Sequence, residues 1–134
     1  MAQQLMLRLP KGADLQKTLN SLCAEHKVTR GMVKCIGALE KATLAFYHQD
    51  GMEFESFEIG EPVEILAGVG NVSLKDGEPF VHMHLTVGLK NGDAKGGHLM
   101  PGCPIFACEA VILEIPGTPL VREYDEPTGL PLWK

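Results

Sequence analysis

Short segments of alternating apolar and polar side chains recur along nearly the whole chain, and they restrict its fold more than any other sequence feature. In a β-strand successive side chains point to opposite faces, so alternation with period two is typical of a strand buried on one side. Turn residues such as Pro10, Gly12 and Gly60 separate these segments. Seven strands are predicted: QQLMLRL (3–9), GMVKCIGAL (31–39), KATLAFYHQ (41–49), MEFESFEI (52–59), PVEILAGVGNVSL (62–74), FVHMHLTVGL (80–89) and PIFACEAVILEI (104–115).

Only one segment has helical spacing. Leu15, Leu19, Leu22 and Cys23 recur three or four residues apart, directly after Asp14, which is a suitable N-cap. One principal amphipathic helix laid on a mainly antiparallel β-sheet is therefore expected. This combination defines the fold class as α+β.

The connections are short and rich in turn residues. Asp50-Gly51 predicts a hairpin turn, Lys75-Asp76-Gly77 separates two strands, and NGDAKGG (91–97) is predicted as a loop. At 134 residues the chain is expected to form a single domain spanning 1–134. Its Pro- and Gly-rich tail, 116–134, is expected to be extended, running over the surface or packing on a neighbouring subunit.

Composition limits the classes of function. The formal net charge is −5, which opposes contact with phosphates and disfavours DNA as a partner for this chain alone. The sequence contains no membrane-spanning apolar run and no secretory signal, so a soluble, cytoplasmic protein is expected. The four cysteines lie in apolar surroundings without CxxC pairing, which favours buried reduced thiols.

Three of the five histidines fall within seventeen residues. His82 and His84 are two positions apart in a predicted strand and therefore share one face, with Cα atoms roughly 6.5–7 Å apart. His98 follows Gly96 and Gly97, which allow a tight return or a close backbone approach. Three neutral imidazoles with an open fourth position suit zinc or a similar divalent metal. The alternative is that these histidines are packed or hydrogen-bonded without any ligand.

Two glutamates are further candidates. Glu64 and Glu109 each interrupt an apolar strand, and a buried carboxylate needs a partner or a metal. Together with Gly96 and Gly97, these glutamates are candidates to contact the histidine ligands or a bound small molecule. The alternative for the glutamates is a solvent-facing side of their strands. His26 and His48 have no such neighbours and are interpreted as structural or solvated. GxSxG, P-loop and GxGxxG motifs are lacking, so enzymatic activity stays undetermined.

The order of these motifs resembles the plants-and-prokaryotes-conserved (PPC) domain family over nearly the whole chain. VKCIGALEKATLAFY resembles its early strand pair and GEPVEILAGVGNVS its Glu-Ile-Leu strand. PFVHMHLTVGLKNGDAKGGHLMPG resembles its histidine strand and GGHL loop, and FACEAVILEI its closing strand, with Glu109 in the family's glutamate position.

The resemblance implies a PPC-like fold, a homotrimer, and a metal or small-molecule ligand at His82, His84 and His98. Prokaryotic relatives are often labelled DNA-binding by analogy with plant proteins, which carry a separate Arg-Gly-Arg-Pro AT-hook. The corresponding stretch here, Thr29-Arg30-Gly31-Met32, lacks that core. The leading hypothesis is a trimeric protein with a histidine-lined metal or ligand site. The alternatives are a DNA-associated regulatory or assembly protein and a metal-dependent hydrolase or lyase.

Overall fold

The computed structural model describes residues 1–134 and contains one α-helix and ten β-strands. This single helix has 11 residues and is too short to cross a membrane. The elements are β1 (Gln4–Leu9), α1 (Leu15–Glu25), β2 (Gly31–Leu39), β3 (Ala42–His48), β4 (Glu53–Ile59), β5 (Val63–Lys75), β6 (Glu78–Gly88), β7 (Ala94–Leu99), β8 (Ile105–Glu114), β9 (Glu123–Asp125) and β10 (Leu130–Leu132).

Eight strands form one sheet in the order β1-β8-β2-β5-β6-β7-β3-β4, and β9 and β10 form a separate pair. Every pair of neighbouring strands is antiparallel. The α+β class with one principal helix is thus confirmed. The loop predicted over 91–97 is wrong in its second half, because β7 begins at Ala94. Its sequence, AKGGHL, lacks the β-branched residues that usually indicate a strand.

The sheet is strongly curved, which follows from one short connection. Between β2 and β3 only Glu40 and Lys41 intervene, and three Cα–Cα steps span about 11 Å at most. Across the sheet, however, four strand spacings separate β2 from β3, roughly 19 Å if the sheet were flat. The sheet therefore bends around the hydrophobic core, which lies between it and helix α1 and includes Leu15, Leu19 and Met83.

Asp14 fixes the start of the helix. Its carboxylate accepts a hydrogen bond from the backbone N–H of Lys17 at 3.0 Å, as an N-cap does. It also accepts bonds from the backbone N–H groups of Gly102 at 2.7 Å and Cys103 at 2.9 Å. The same side chain therefore caps the N-terminus of the helix and holds the β7–β8 connection against it.

Two polar helix side chains attach α1 to β6. The Gln16 side-chain amide donates to the Val81 carbonyl oxygen at 2.8 Å, and the Asn20 side-chain oxygen accepts from the Val81 N–H at 2.9 Å. β7 pairs with β6 only from His84 onward, so on that side of β6 the backbone at Val81 has no strand partner. The helix thereby satisfies backbone groups that would otherwise be buried and unpaired.

All four cysteines are free and buried, which confirms the prediction of reduced core thiols. Burial raises the pKa of Cys23 and of Cys103 to about 11. Both thiols therefore stay protonated near neutral pH and are poor metal ligands, since the thiolate is the coordinating form.

A tight turn sets the register of β5 and β6. Asp76 and Gly77 both have positive φ, 53° and 80°, as the two-residue turn of a right-twisted hairpin requires. The resulting register places His82 opposite Asn71 and His84 opposite Val69.

The tail, expected to be extended, contains β9 and β10, which we call the tail hairpin together with their turn. Just before it, the backbone N–H of Arg122 donates to the Leu74 carbonyl oxygen at 2.8 Å. The backbone N–H of Leu74 in turn donates to the Leu120 carbonyl oxygen at 2.9 Å. At its turn, Thr128 accepts a hydrogen bond through its carbonyl from the Tyr47 hydroxyl. The tail is thus attached to β5 at one point and to β3 at another.

Candidate metal centre

The three clustered histidines come from two neighbouring strands. His82 and His84 lie two positions apart on β6, and His98 on β7 pairs directly with His84. Because paired residues of neighbouring strands share a face, all three point to the side of the sheet opposite the helix. The ring centroids are 5.1 Å apart for His82 and each of the others, and 5.8 Å for His84 and His98.

The glycines before His98 permit this arrangement. A β-carbon at Gly97 would lie 2.9 Å from the Ala45 carbonyl oxygen, and one at Gly96 would lie 2.9 Å from the Leu85 carbonyl oxygen. Both contacts are closer than a carbon and an oxygen normally approach. The close backbone approach expected from the sequence is therefore present, in a strand and not in a turn.

The environment keeps two of the three imidazoles neutral. Burial lowers the pKa of His82 to about 4, with smaller effects from the nearby charges of His98, Arg122 and His84. Burial also lowers the pKa of His98 to about 4, assisted by His84, Lys75 and Arg122. A neutral imidazole has a lone pair free for coordination, so these side chains need lose no proton to bind a metal near pH 7.

The spacing of the ligand atoms suits a transition metal. One nitrogen from each histidine lies within 4.8 Å of the other two. A tetrahedral zinc ion with bonds of about 2.0–2.1 Å requires nitrogens about 3.3–3.4 Å apart. Binding therefore requires the imidazole rings to rotate towards one another, and His84 is exposed, which leaves it room to move. The donor set fits a divalent metal that accepts imidazole, with a fourth position left for water or a ligand.

The histidines line a cavity of about 470 Å³ between the sheet and the tail hairpin. Aromatic side chains form one wall, where the ring of Phe54 lies 4.8 Å from that of His98 and 4.9 Å from that of Tyr47. The tail hairpin supplies the opposite wall through Leu130, Pro131 and Leu132. A volume of this size accommodates a small organic molecule next to the histidines.

Arg122 is a cavity residue that sequence reasoning missed. Its guanidinium donates to the Ser73 hydroxyl at 2.7 Å, to the Asn71 side-chain oxygen at 3.0 Å and to the Pro131 carbonyl at 3.0 Å. The ring of Trp133 lies 4.7 Å from it. Arg122 belongs to no recognisable sequence motif, and only the folding of the tail brings it beside the histidines.

The glutamates named with the histidines lie elsewhere in this chain. Glu64 is exposed on β5 and lines a separate cavity of about 400 Å³, together with Lys90. Glu109 is exposed on β8, paired with Arg8 and Ile36, and β8 is three strands away from β6. Neither glutamate lines the histidine cavity within this chain, and both side chains are exposed.

The remaining histidines also lie outside the cluster. His26 is the C-cap of α1, and His48 on β3 pairs with exposed Glu55. Cys103 is buried in the core with its sulfur near the Thr43 and Met100 carbonyls, so it is not a cavity residue.

A curved antiparallel sheet, one helix and a histidine-lined cavity define an α+β protein with a candidate tri-histidine metal centre. The chain belongs to the Plants and Prokaryotes Conserved (PCC) domain family, whose family model matches residues 1–116. This is the family that the motif order predicted under the abbreviation PPC. The match ends before the tail hairpin.

Solved structures share the fold over nearly the whole chain. A protein from Archaeoglobus fulgidus, named as metal-containing, has a TM-score of 0.94 and 38% identity, covering 98% of this chain and 93% of that one. A plant- and prokaryote-conserved protein from Pyrococcus horikoshii has a TM-score of 0.94 and 29% identity, covering 100% and 94%. A candidate DNA-binding protein from Bacteroides thetaiotaomicron has a TM-score of 0.89, covering 98% and 91%; at 24% identity it shows the fold alone.

A curated relative is much longer than this chain. The bifunctional protein GlmU of a Synechococcus strain is 38% identical over 125 residues, which are 92% of this chain. The matched region is only 18% of that relative, so the chain spans less than one fifth of its length.

Proposed function

We propose that this protein binds a divalent metal, zinc or a similar ion, through His82, His84 and His98, and uses it to hold a small molecule in the adjoining cavity. The observation that carries the proposal is the convergence of three imidazole nitrogens within 4.8 Å at the wall of that cavity. The Archaeoglobus fulgidus relative named as metal-containing supports it further. When bound, the metal would supply a Lewis acid with one open coordination position.

The chain's own residues have separate tasks around that position. His82, His84 and His98 hold the ion, and the β6–β7 pairing fixes their relative orientation. The rings of Phe54 and Tyr47 exclude water from one side of the cavity and contact apolar ligand atoms. No aspartate or glutamate lines the cavity to act as a general base, so binding is favoured over the hydrolase or lyase alternative.

Metal content tests the proposal. Tag-free protein, stripped with chelator and dialysed against equimolar zinc, is expected to retain about one ion per chain, and His98→Ala is expected to retain almost none, since one ligand of three is lost. His26→Ala serves as the matched control because it removes a histidine outside the cavity. Equal zinc in all three proteins, or none in the folded wild type, would defeat the proposal.

We further propose that the protein is a homotrimer. The outer face, meaning the sheet face opposite α1, exposes apolar side chains on four adjacent strands. Met32 and Leu113 are each 37% exposed, Ile36 is 57% exposed and Met6 is 83% exposed. A row of exposed apolar side chains on one face is typical of an interface, and the family resemblance implies a trimer.

Replacing Ile36 by glutamate tests this assembly. A carboxylate buried between copies is costly, so I36E is expected to shift the mass measured by light scattering from trimer towards monomer. Glu55→Gln changes one charge at the exposed strand β4 and is expected to leave the mass unchanged. A monomeric wild type would contradict the proposal.

The DNA-associated alternative receives less support. The Bacteroides thetaiotaomicron relative carries that description, but its similarity concerns the fold alone. The net charge of −5 and the missing AT-hook core both disfavour direct contact with phosphates.

A further inference from the structure

We propose that the ligand of the histidine-lined cavity is a small organic anion, with a carboxylate or phosphate held by Arg122 and Lys75 and an apolar body against the aromatic wall. This deepens the proposed function and rests on it for the metal, whose charge would add to that of the two cations. The cations themselves belong to the chain, and they can be tested with or without the metal.

Arg122 is a buried charge without a counter-ion. The residue is only 9% exposed, yet the three ion pairs of the structure involve other residues. Its hydrogen-bond acceptors, on Ser73, Asn71 and Pro131, are all neutral. Burying a charge is costly unless an opposite charge compensates it, so the site is incomplete without an anion.

The net charge of the cavity lining is opposite in sign to the net charge of the whole molecule. The chain carries 17 acidic and 12 basic residues, but the lining has two basic residues, Arg122 and Lys75, and no acidic one. Lys75 lies with its ammonium 4.7 Å from the centre of the Phe80 ring, at the same wall. A cavity lined by one sign of charge concentrates ions of the opposite sign.

The guanidinium still has donors available. Five N–H groups belong to an arginine side chain, and the three hydrogen bonds use one each on Nε, Nη1 and Nη2. One N–H on each of the two Nη atoms is therefore free. A carboxylate or phosphate accepts such bonds strongly because both partners are charged.

The remaining lining selects an organic anion over an inorganic one. Phe54, Phe80 and Tyr47 present rings, and Leu132 completes an apolar wall from the tail hairpin. An inorganic ion would leave most of the 470 Å³ cavity unfilled. An anion attached to a ring would contact both the cations and the aromatic wall.

The single tryptophan, Trp133, lies 4.7 Å from the Arg122 guanidinium and offers an optical signal for the test. Benzoate, phenyl phosphate, inorganic phosphate and neutral benzamide would be titrated into zinc-loaded and chelator-stripped protein while Trp133 fluorescence is followed. Calorimetry on the same samples would give the dissociation constants. Benzoate or phenyl phosphate is expected to bind at least about tenfold more tightly than benzamide, as charged hydrogen bonds imply.

Two variants separate the cavity charge from charge in general. Lys75→Gln is expected to weaken binding of the preferred anion about three- to tenfold. Lys17→Gln, which removes an equal charge from the exposed side of α1, is expected to leave it unchanged. Arg122→Gln should weaken binding further, and if that variant fails to fold, the Lys75 comparison still decides the matter.

The outcomes distinguish this inference from the proposed function. Benzamide binding as tightly as benzoate and phenyl phosphate, or equal losses in the Lys75 and Lys17 variants, would overturn the inference even if zinc binds. A persistent anion preference in protein that takes up no zinc would support the inference while the proposed metal site fails. Phenyl phosphate against benzoate identifies the anionic group, and inorganic phosphate binding as tightly as either organic anion would overturn the apolar-body part.

Discussion

At the scale of single residues, the protonation of His82 and His98 couples the candidate site to stability. Their pKa is about 4 in the folded chain against 6.5 for an ordinary histidine. Between about pH 6.5 and pH 4 the unfolded chain binds protons at these positions that the folded chain does not. The metal-free protein is therefore expected to lose stability as the pH falls through this window.

Urea unfolding of metal-free protein at several pH values measures that dependence. Since carboxylates also titrate in acid, the comparison with His98→Gln matters more than the wild-type curve alone. The variant is expected to have a shallower fall between pH 6.5 and pH 4, because it lacks one of the two imidazoles whose pKa is lowered by folding. Parallel curves for wild type and His98→Gln would contradict the assigned environment.

At the scale of elements, β7 is the strand on which the site depends. It lies between β6 and β3, and its backbone passes so close to Ala45 that a β-carbon at Gly97 would contact the Ala45 carbonyl oxygen at 2.9 Å. Gly97→Ala is expected to destabilise the fold by about 1–3 kcal/mol, because backbone atoms must move to admit the methyl group. Displacement of β7 should also weaken zinc binding through His98.

Chemical denaturation and zinc titration of Gly97→Ala measure both effects. Gly60→Ala is the matched control, since its added carbon would approach only the Glu58 side chain, at 3.9 Å, and the backbone there is not strained. A Gly97→Ala protein with wild-type stability and zinc affinity would show that the close approach of β7 is dispensable.

At the scale of the whole molecule, the candidate site joins parts that are distant in sequence. Period-two alternation was sufficient to predict seven of the eight strands of the sheet and the shared face of His82 and His84, whereas β7 was missed. The Gly-Gly pair suggested that His98 could approach the other two. Local patterns say nothing of strand order, so the two strands that lie between Glu109 on β8 and the histidine strand β6 could not be predicted. Arg122 was missed for a similar reason. Its position beside the histidines depends on tertiary contacts of the tail, which no local sequence pattern indicates.

The central claim is that three histidines on β6 and β7 hold one divalent metal, and anomalous diffraction at the zinc absorption edge tests it most directly. Crystals of tag-free protein grown with zinc are predicted to have one anomalous peak per chain, about 2.0–2.1 Å from a nitrogen of each of His82, His84 and His98. The absence of a peak among these three rings, in crystals whose zinc lies elsewhere, would contradict the claim.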